Sequence, residues 1–312
     1  MPNVAIVTDS ASDLPLPIAE AMGIRVVPLL VRFGTHEYRS GVDLSTADFW
    51  ARMLAPDAPF PTTAAAAPGA FAEAFSDAFA AGAESVVCVT VGSRLSGTFA
   101  SAEVGAQQHP GREIHVVDST SASMGTGHLA MLAAELAAAG RTGVAIAATI
   151  RERAADLDLY VALDTLEYLR KGGRLSAARA AIGTMLSVKP IITVVDGLVE
   201  TADRVRTRAR ARERVIELLT ARPVERITIL QTVTDDIEVF RDTVVAALPG
   251  GVDPAFVSIQ TVGPSVGPHL GPGAVGAVML LRRSTRLLRR GGRLLGRGGP
   301  RAALRPGRAG RT

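Results

Sequence analysis

The sequence predicts an α/β protein of two domains, the first a three-layer unit on a parallel sheet and the second a mixed sheet with helices. Three observations lead there. The chain has 312 residues, more than one hydrophobic core usually serves. Its first half alternates short apolar runs with stretches of helical periodicity, the pattern of parallel strands joined by crossover helices. Beyond about residue 155 that alternation gives way to adjacent strand pairs, which suit a mixed sheet. The domains are therefore placed at 1–155 and 156–281, with a tail of different composition at 282–312.

Taken in order, the apolar run NVAIVT at 3–8 ends at Asp9 and Ser10. Strands are predicted there and at 24–31, 85–91 and 113–118, with helices near 13–22, 45–54, 68–81, 97–108 and 121–139. Pro68 suits a first helical turn, and the spacing of Phe71 and Phe75 marks a buried helix face. GVAIAATIRERAADL is helix-like. In the second half LYVALD is a strand, 164–170 and 176–183 are helices, and KPIITVVDGLVETADRVR is two strands about the turn Asp196-Gly197. Residues 207–220 and 235–247 have helical periodicity, while RITILQTV and FVSIQTV have the character of strands.

Composition narrows the class. Hydrophobic content of 47% with 21% charged residues is that of an ordinary globular chain. No run approaches the roughly eighteen apolar residues of a spanning helix, and the start MPNVAIVTDS lacks the marks of a signal peptide, so a cytoplasmic location is expected. Cys88 is the single cysteine, which excludes an internal disulfide and places it in the core of its apolar run. The net charge of +4 is unevenly placed. From Arg282 to Thr312 there are eleven arginines and no acidic residue, leaving 23 basic against 30 acidic residues elsewhere, a net of −7. Such a tail is expected to be disordered. A basic arm for anionic lipid or nucleic acid is one reading. The other, which the composition favours, is GC-rich coding read in a shifted frame, since 32 arginines accompany only Lys171 and Lys189.

Several turns concentrate polar groups. In VTVGSRLSGTFASA, 89–102, a strand hands over to a helix at Ser96-Gly97. Exposed N–H groups, the positive end of the helix dipole and the Ser96 hydroxyl would share one space suited to a carboxylate or phosphate. Serine is equally a helix N-cap there. Thr62-Thr63 before AAAAPGAFAEAF reads first as a cap. TVGPSVGPHLGPGAVG sets His269 among glycines and prolines, where its imidazole either meets an anion or is satisfied by the loop. DTLEYLRKGGRLS is a helix stopped by Gly172-Gly173, with Lys171 and Arg174 at its basic C-terminal end. Asp9 at a strand end would suit phosphotransfer, but the nearby Asp13 reads better as a helix start. There is no G-x-S-x-G elbow or phosphate-binding G-x-x-x-x-G-K-[ST] loop, and His109 and His115 lack zinc spacing. These residues offer binding groups without a convincing nucleophile and base, so no catalytic residue, metal or cofactor is expected.

In combination and order, these segments resemble the DegV family of bacterial fatty-acid-binding proteins, whose members include acyl-carrying subunits of fatty acid kinase. The resemblance runs from TDSASDLP at 8–15 through APGAF, GSRLSGTFASA, VDSTSASMGTG at 117–127 and DTLEYLRKGGRLS to GPHLGPGAVG at 267–276. It covers about residues 3–281 and stops at the arginine tail. It implies a lipid tail bound between two α/β domains, with the carboxylate at their junction. Thr63 and Ser96 would contact that carboxylate, Gly97 would offer its N–H, and His269 would lie close by.

The same resemblance implies a non-enzymatic carrier of a long-chain acid such as palmitate or oleate. It would present the acid to an ATP-dependent fatty acid kinase subunit, feeding phospholipid synthesis. By charge and position, Lys171, Arg174, Arg206 and Arg208 are candidates for a positive rim that docks the kinase, solvated surface being the plainer reading. A transient membrane-surface contact is compatible with this, and no specific nucleic acid is expected. The alternative function is a small-molecule phosphotransferase or hydrolase using Asp9. The chain departs from the family's common Ser-Gln-Pro-Ser at Ala64-Ala65-Ala66-Ala67, and has Pro268 and Leu270 where threonines often flank the histidine.

Overall fold

The computed structural model describes residues 3–175 and 188–283; the helix expected at 176–183 and nearly all of the arginine-rich tail lie outside the described residues. The first half runs β1 (Val4–Asp9), α1 (Leu16–Ala21), β2 (Ile24–Val27), β3 (Leu30–Phe33), β4 (His36–Arg39), α2 (Thr46–Met53), β5 (Thr62–Ala64), α3 (Pro68–Ala80), β6 (Ser85–Thr90), α4 (Thr98–Gln107), β7 (Glu113–Asp118), α5 (Met124–Ala138) and α6 (Gly143–Ala154). The second adds β8 (Leu157–Ala162), α7 (Glu167–Lys171), β9 (Lys189–Val195), β10 (Leu198–Val205), α8 (Arg208–Leu219), β11 (Val224–Gln231), α9 (Ile237–Ala247), β12 (Val257–Thr261), α10 (Gly267–Leu270) and β13 (Val275–Leu281).

The first sheet has the order β2-β1-β6-β7 and is parallel throughout. Its strand β6, SVVCVT, is buried at every position, as a strand covered by helices on both faces must be. Alternation along it sends Val87 and Val89 towards Leu129, Ile146 and Ile150 of α5 and α6. Val86 and Cys88 point the other way, towards Phe71 and Phe75 of α3 and Ala102 of α4. This is the expected three-layer arrangement. Both phenylalanines have no exposed surface.

The second sheet is mixed, in the order β10-β9-β8-β13-β11-β12. Asp196 and Gly197 join β9 to β10 with φ of 50° and 74°, the left-handed pair that a tight hairpin requires. One face of this sheet packs on Val215 and Leu219 of α8 and on Phe240 and Val244 of α9. The other face shares an apolar cluster with α5 and the first sheet, joining Val161, Leu230 and Val278 to Leu129 and Val87. The α5 helix thus stands between the two sheets, and residue 155 lies in the turn between α6 and β8.

Several elements differ from expectation. The run 24–31 is two strands, because Pro28 lacks the N–H needed to continue a ladder. Its second part becomes β3, the centre of a small antiparallel sheet of order β4-β3-β5. Thr62 and Thr63 belong to β5 in that sheet, and α3 begins at Pro68 with no side-chain cap. The strand β13, VGAVMLL, is buried throughout and pairs with both β8 and β11. Its seven-residue apolar run is the signal that sequence reading passed over in favour of the glycines before it.

Candidate functional site

A cavity lies between the second sheet and the loops beyond β1 and β6. The sheet supplies branched aliphatic walls: Leu159 and Val161 from β8, Ile192 and Val194 from β9, Val199 from β10 and Leu230 from β11. From β10 to β11 the sheet order counts four inter-strand steps, about 19 Å at the usual strand spacing. Ala11, Val91 and Ala122 line the side towards the first sheet. The space is long and apolar, fit for a hydrocarbon.

Polar groups gather at one region of the lining. Thr63, on β5, places its Oγ1 3.0 Å from His269 Nε2, on α10. Burial holds the His269 imidazole down from 6.5 to about 4, and the charge of Arg174 acts in the same direction. The ring is therefore neutral at physiological pH. Its Nδ1 is buried with no hydrogen-bond partner among the described residues. An unmet lone pair is easier to bury than an unmet N–H, which assigns the proton to Nε2. His269 Nε2–H then donates to Thr63 Oγ1, and the threonine proton is left to point elsewhere.

Ser96 has a parallel arrangement. Its Oγ accepts the Thr98 N–H at 3.3 Å and lies 2.8 Å from Thr98 Oγ1. Where the buried Thr98 hydroxyl donates, the Ser96 proton too is available to a ligand. Gly97 is exposed and is not part of the cavity lining; it lies in a neighbouring surface pocket that shares Ser96 and Arg174 with the cavity. The N-cap of α4 is Gly97, with no side-chain cap bond, so the cap expected at Ser96 is not made there; the Ser96 oxygen meets the first helical N–H and its proton is left for a ligand.

Arg174, a rim candidate by charge and position, also faces the cavity. As a charge after a helix it looked like surface, yet it lines the cavity together with Ser96 and His269. Its Nε donates to Leu95 O at 3.1 Å and its Nη1 to Gly172 O at 2.6 Å. No carboxylate among the described residues is paired with it, and burial pushes its guanidinium below the usual arginine value. An anion in the cavity would relieve that cost. The clue available in the sequence was the pair of glycines before it, which bring the chain back towards Leu95.

The other proposed rim residues stay outside. Lys171 pairs with Glu167 at 2.7 Å on α7 and stands 5.5 Å from the centre of the Phe60 ring. Arg208 forms a two-pronged pair with Asp164, which also holds Lys189 at 2.9 Å. Arg206 is exposed. Asp9 is fully buried and is not part of the cavity lining; its oxygens accept the N–H groups of Ala11 and Val91, each at 2.8 Å. It closes the turn after β1 and offers no free oxygen to a phosphoryl group. Of the alanines that replace the family's polar run, Ala64 lines the cavity and Ala66 is buried beside Phe71 and Phe75. No helix among the described residues is long and apolar enough to cross a membrane.

Known proteins carry the same architecture. A DegV domain-containing protein of Streptomyces coelicolor is 35% identical over 284 residues, covering 90% of this chain and 99% of the relative. Among solved structures, a fatty-acid-binding DegV family protein of Thermus thermophilus superposes with a TM-score of 0.82 at 32% identity, covering 90% of this chain and all of that one. DegV of Bacillus subtilis, a fatty-acid-binding protein, gives 0.80 at 27% identity, again over 90% of this chain and 100% of its own. The family profile described as "Uncharacterised protein, DegV family" matches residues 3–282. With nearly the whole described chain accounted for in sequence and in fold, this protein belongs to the DegV family.

Proposed function

We propose that the protein binds one long-chain fatty acid, such as palmitate or oleate, in this cavity, with 1–155 and 156–281 as the halves that enclose it. The carboxylate is held by Thr63, Ser96 and Arg174, with His269 behind Thr63 and the Gly97 N–H beside Ser96. The observation that carries this is an apolar cavity whose polar region offers two hydroxyls, each with its oxygen engaged, and one guanidinium without a carboxylate partner among the described residues. A buried ionised carboxylate is costly unless donors meet it. Burying the acyl chain contributes roughly 0.8 kcal/mol per methylene, so a long chain supplies more than ~10 kcal/mol gross. The tail provides most of the drive, and the polar groups decide its orientation. Fatty-acid binding by the Thermus and Bacillus relatives supports the same reading.

Calorimetry of delipidated protein is expected to show oleate or palmitate binding, and absence of both would sink the proposal. Ser96→Ala should cost about 1–3 kcal/mol of that affinity, the penalty of a buried group left unsatisfied.

The finer role is that of a cytoplasmic carrier without catalysis of its own, presenting the bound carboxylate to an ATP-dependent kinase subunit for phospholipid synthesis. Arg206 is the rim residue best suited to dock that subunit, because Lys171 and Arg208 are occupied by Glu167 and Asp164. Arg206→Glu should slow acyl-phosphate formation in a coupled assay by roughly tenfold or more while oleate affinity stays within error. Unchanged coupling would remove the docking role.

A further inference from the structure

Asp13 is buried between the turn after β1 and the loop that leads into α10. It does not start α1, which begins at Leu16 without a side-chain cap. Instead its carboxylate joins two distant segments. Oδ2 accepts the Ser123 hydroxyl at 2.5 Å, and Oδ1 accepts the Gly263 N–H at 2.9 Å across 250 residues of sequence. A Cβ on Gly263 would stand 2.8 Å from Oδ1, so only glycine lets the carboxylate reach that backbone. Ser123 holds φ of 52° and ψ of −146°, a conformation that residues with side chains avoid unless their surroundings enforce it.

The contact leads directly to the polar end of the cavity. Gly263 O accepts the N–H groups of Val266 and Gly267 at 3.2 and 2.8 Å, and Val266 O accepts the His269 N–H at 3.0 Å. A second strap, Ser10 Oγ to Ser265 Oγ at 2.8 Å, lies alongside. Ala11 and Ser123 line the cavity from one side of Asp13, and Ser265, Val266 and His269 from the other. The charged groups that bear on this region are Asp9 towards Asp13 and Arg174 towards His269.

We propose that Asp13 is a positioning residue, whose carboxylate anchors the 263–270 turn so that His269 Nε2 meets Thr63. Its consequence for lipid binding rests on the reading that Thr63 receives the carboxylate.

The test is a side-chain NMR titration of the five histidines in the full, lipid-free chain, followed by oleate calorimetry. In Asp13→Ala, His269 is expected to move up from about 4 by about one pH unit or more as its ring is released. His128, held down at about 3 by burial and by Arg226, should stay in place. Asp13→Asn, which still accepts from Gly263 and can donate to Ser123, should keep the wild-type titration and affinity, whereas Asp13→Ala should lose roughly tenfold in oleate affinity. An unmoved His269 in Asp13→Ala, or an equal movement in Asp13→Asn, overturns the proposal. Should Asp13→Ala fail to fold, Ser123→Gly decides by the same readout: it removes the Oδ2 partner, relieves the positive φ, and should move His269 in the same direction. If wild-type protein binds no oleate the carboxylate reading fails, while the His269 titration still decides the positioning role.

Discussion

Gly172→Ala is expected to weaken oleate binding by roughly 10–100-fold, about 1.4–2.8 kcal/mol, in a protein that still folds. A Cβ at this position would stand 2.1 Å from His269 Nδ1, 2.8 Å from its Cε1 and 3.2 Å from Tyr168 O. The backbone tolerates alanine, with φ of −76°, so the conflict is one of space alone. The imidazole must swing away, breaking its 3.0 Å contact with Thr63. Thr63 then loses the donor that turns its own proton towards the ligand. Gly69→Ala, on α3 and outside the cavity lining, is the control, because nothing lies within 4 Å of its Cβ. Calorimetry with oleate and a thermal melt on both variants check this; unchanged affinity in Gly172→Ala would exclude His269 from the grip.

The second large effect is on stability. Burial, with the charge of Asp9 adding to it, pushes the Asp13 carboxyl from 3.8 up to about 7 against the hydrogen bonds of Ser123 and Gly263. A carboxyl raised on folding makes the folded state bind its proton more tightly than the unfolded chain does. Its contribution is fully present below about pH 4 and is lost as pH rises through about 7. Asp13→Asn keeps the bond from Gly263, reverses the direction of the one with Ser123 and removes the charge. It should therefore gain on the wild type as pH rises from 4 to 8, by on the order of 2–4 kcal/mol, and level off above that.

The comparison has to be made as a difference between the two proteins. His128 and His269 are held down at about 3 and about 4, and their contribution has the opposite sign, present above 6.5 and lost as pH falls through those values. Urea unfolding of both proteins at pH 4, 6 and 8 measures the difference. A gap that stays constant with pH would show that Asp13 does not titrate in this range.

Much of the fold was legible because its signals are local. The Phe71 and Phe75 spacing, the Asp196-Gly197 turn and the apolar run around Cys88 each report a preference that the chain realises within a few residues. Ser96 was legible as a strand-to-helix hydroxyl for the same reason. Thr63 was legible only through the family resemblance, since the pattern before Pro68 resembles a helix cap while its actual place is an edge strand paired with Val31. The β13 run was overlooked because the glycines before it drew the reading towards a turn, although seven apolar residues in succession are a buried strand's signature.

The alternation of elements, the parallel and mixed sheets they build and the family motifs are all readable in the chain alone. These follow from apolar periodicity and turn chemistry, whose range is a few residues. Only the tertiary structure decided that His269 meets Thr63 across 206 residues, that Arg174 turns inwards to the cavity, and that Asp13 spans 250 residues to Gly263. Those contacts depend on how two sheets and the helix between them pack. Burial, which sets both the charge state and the aim of a polar group, is a property of that packing and has no local trace in the chain.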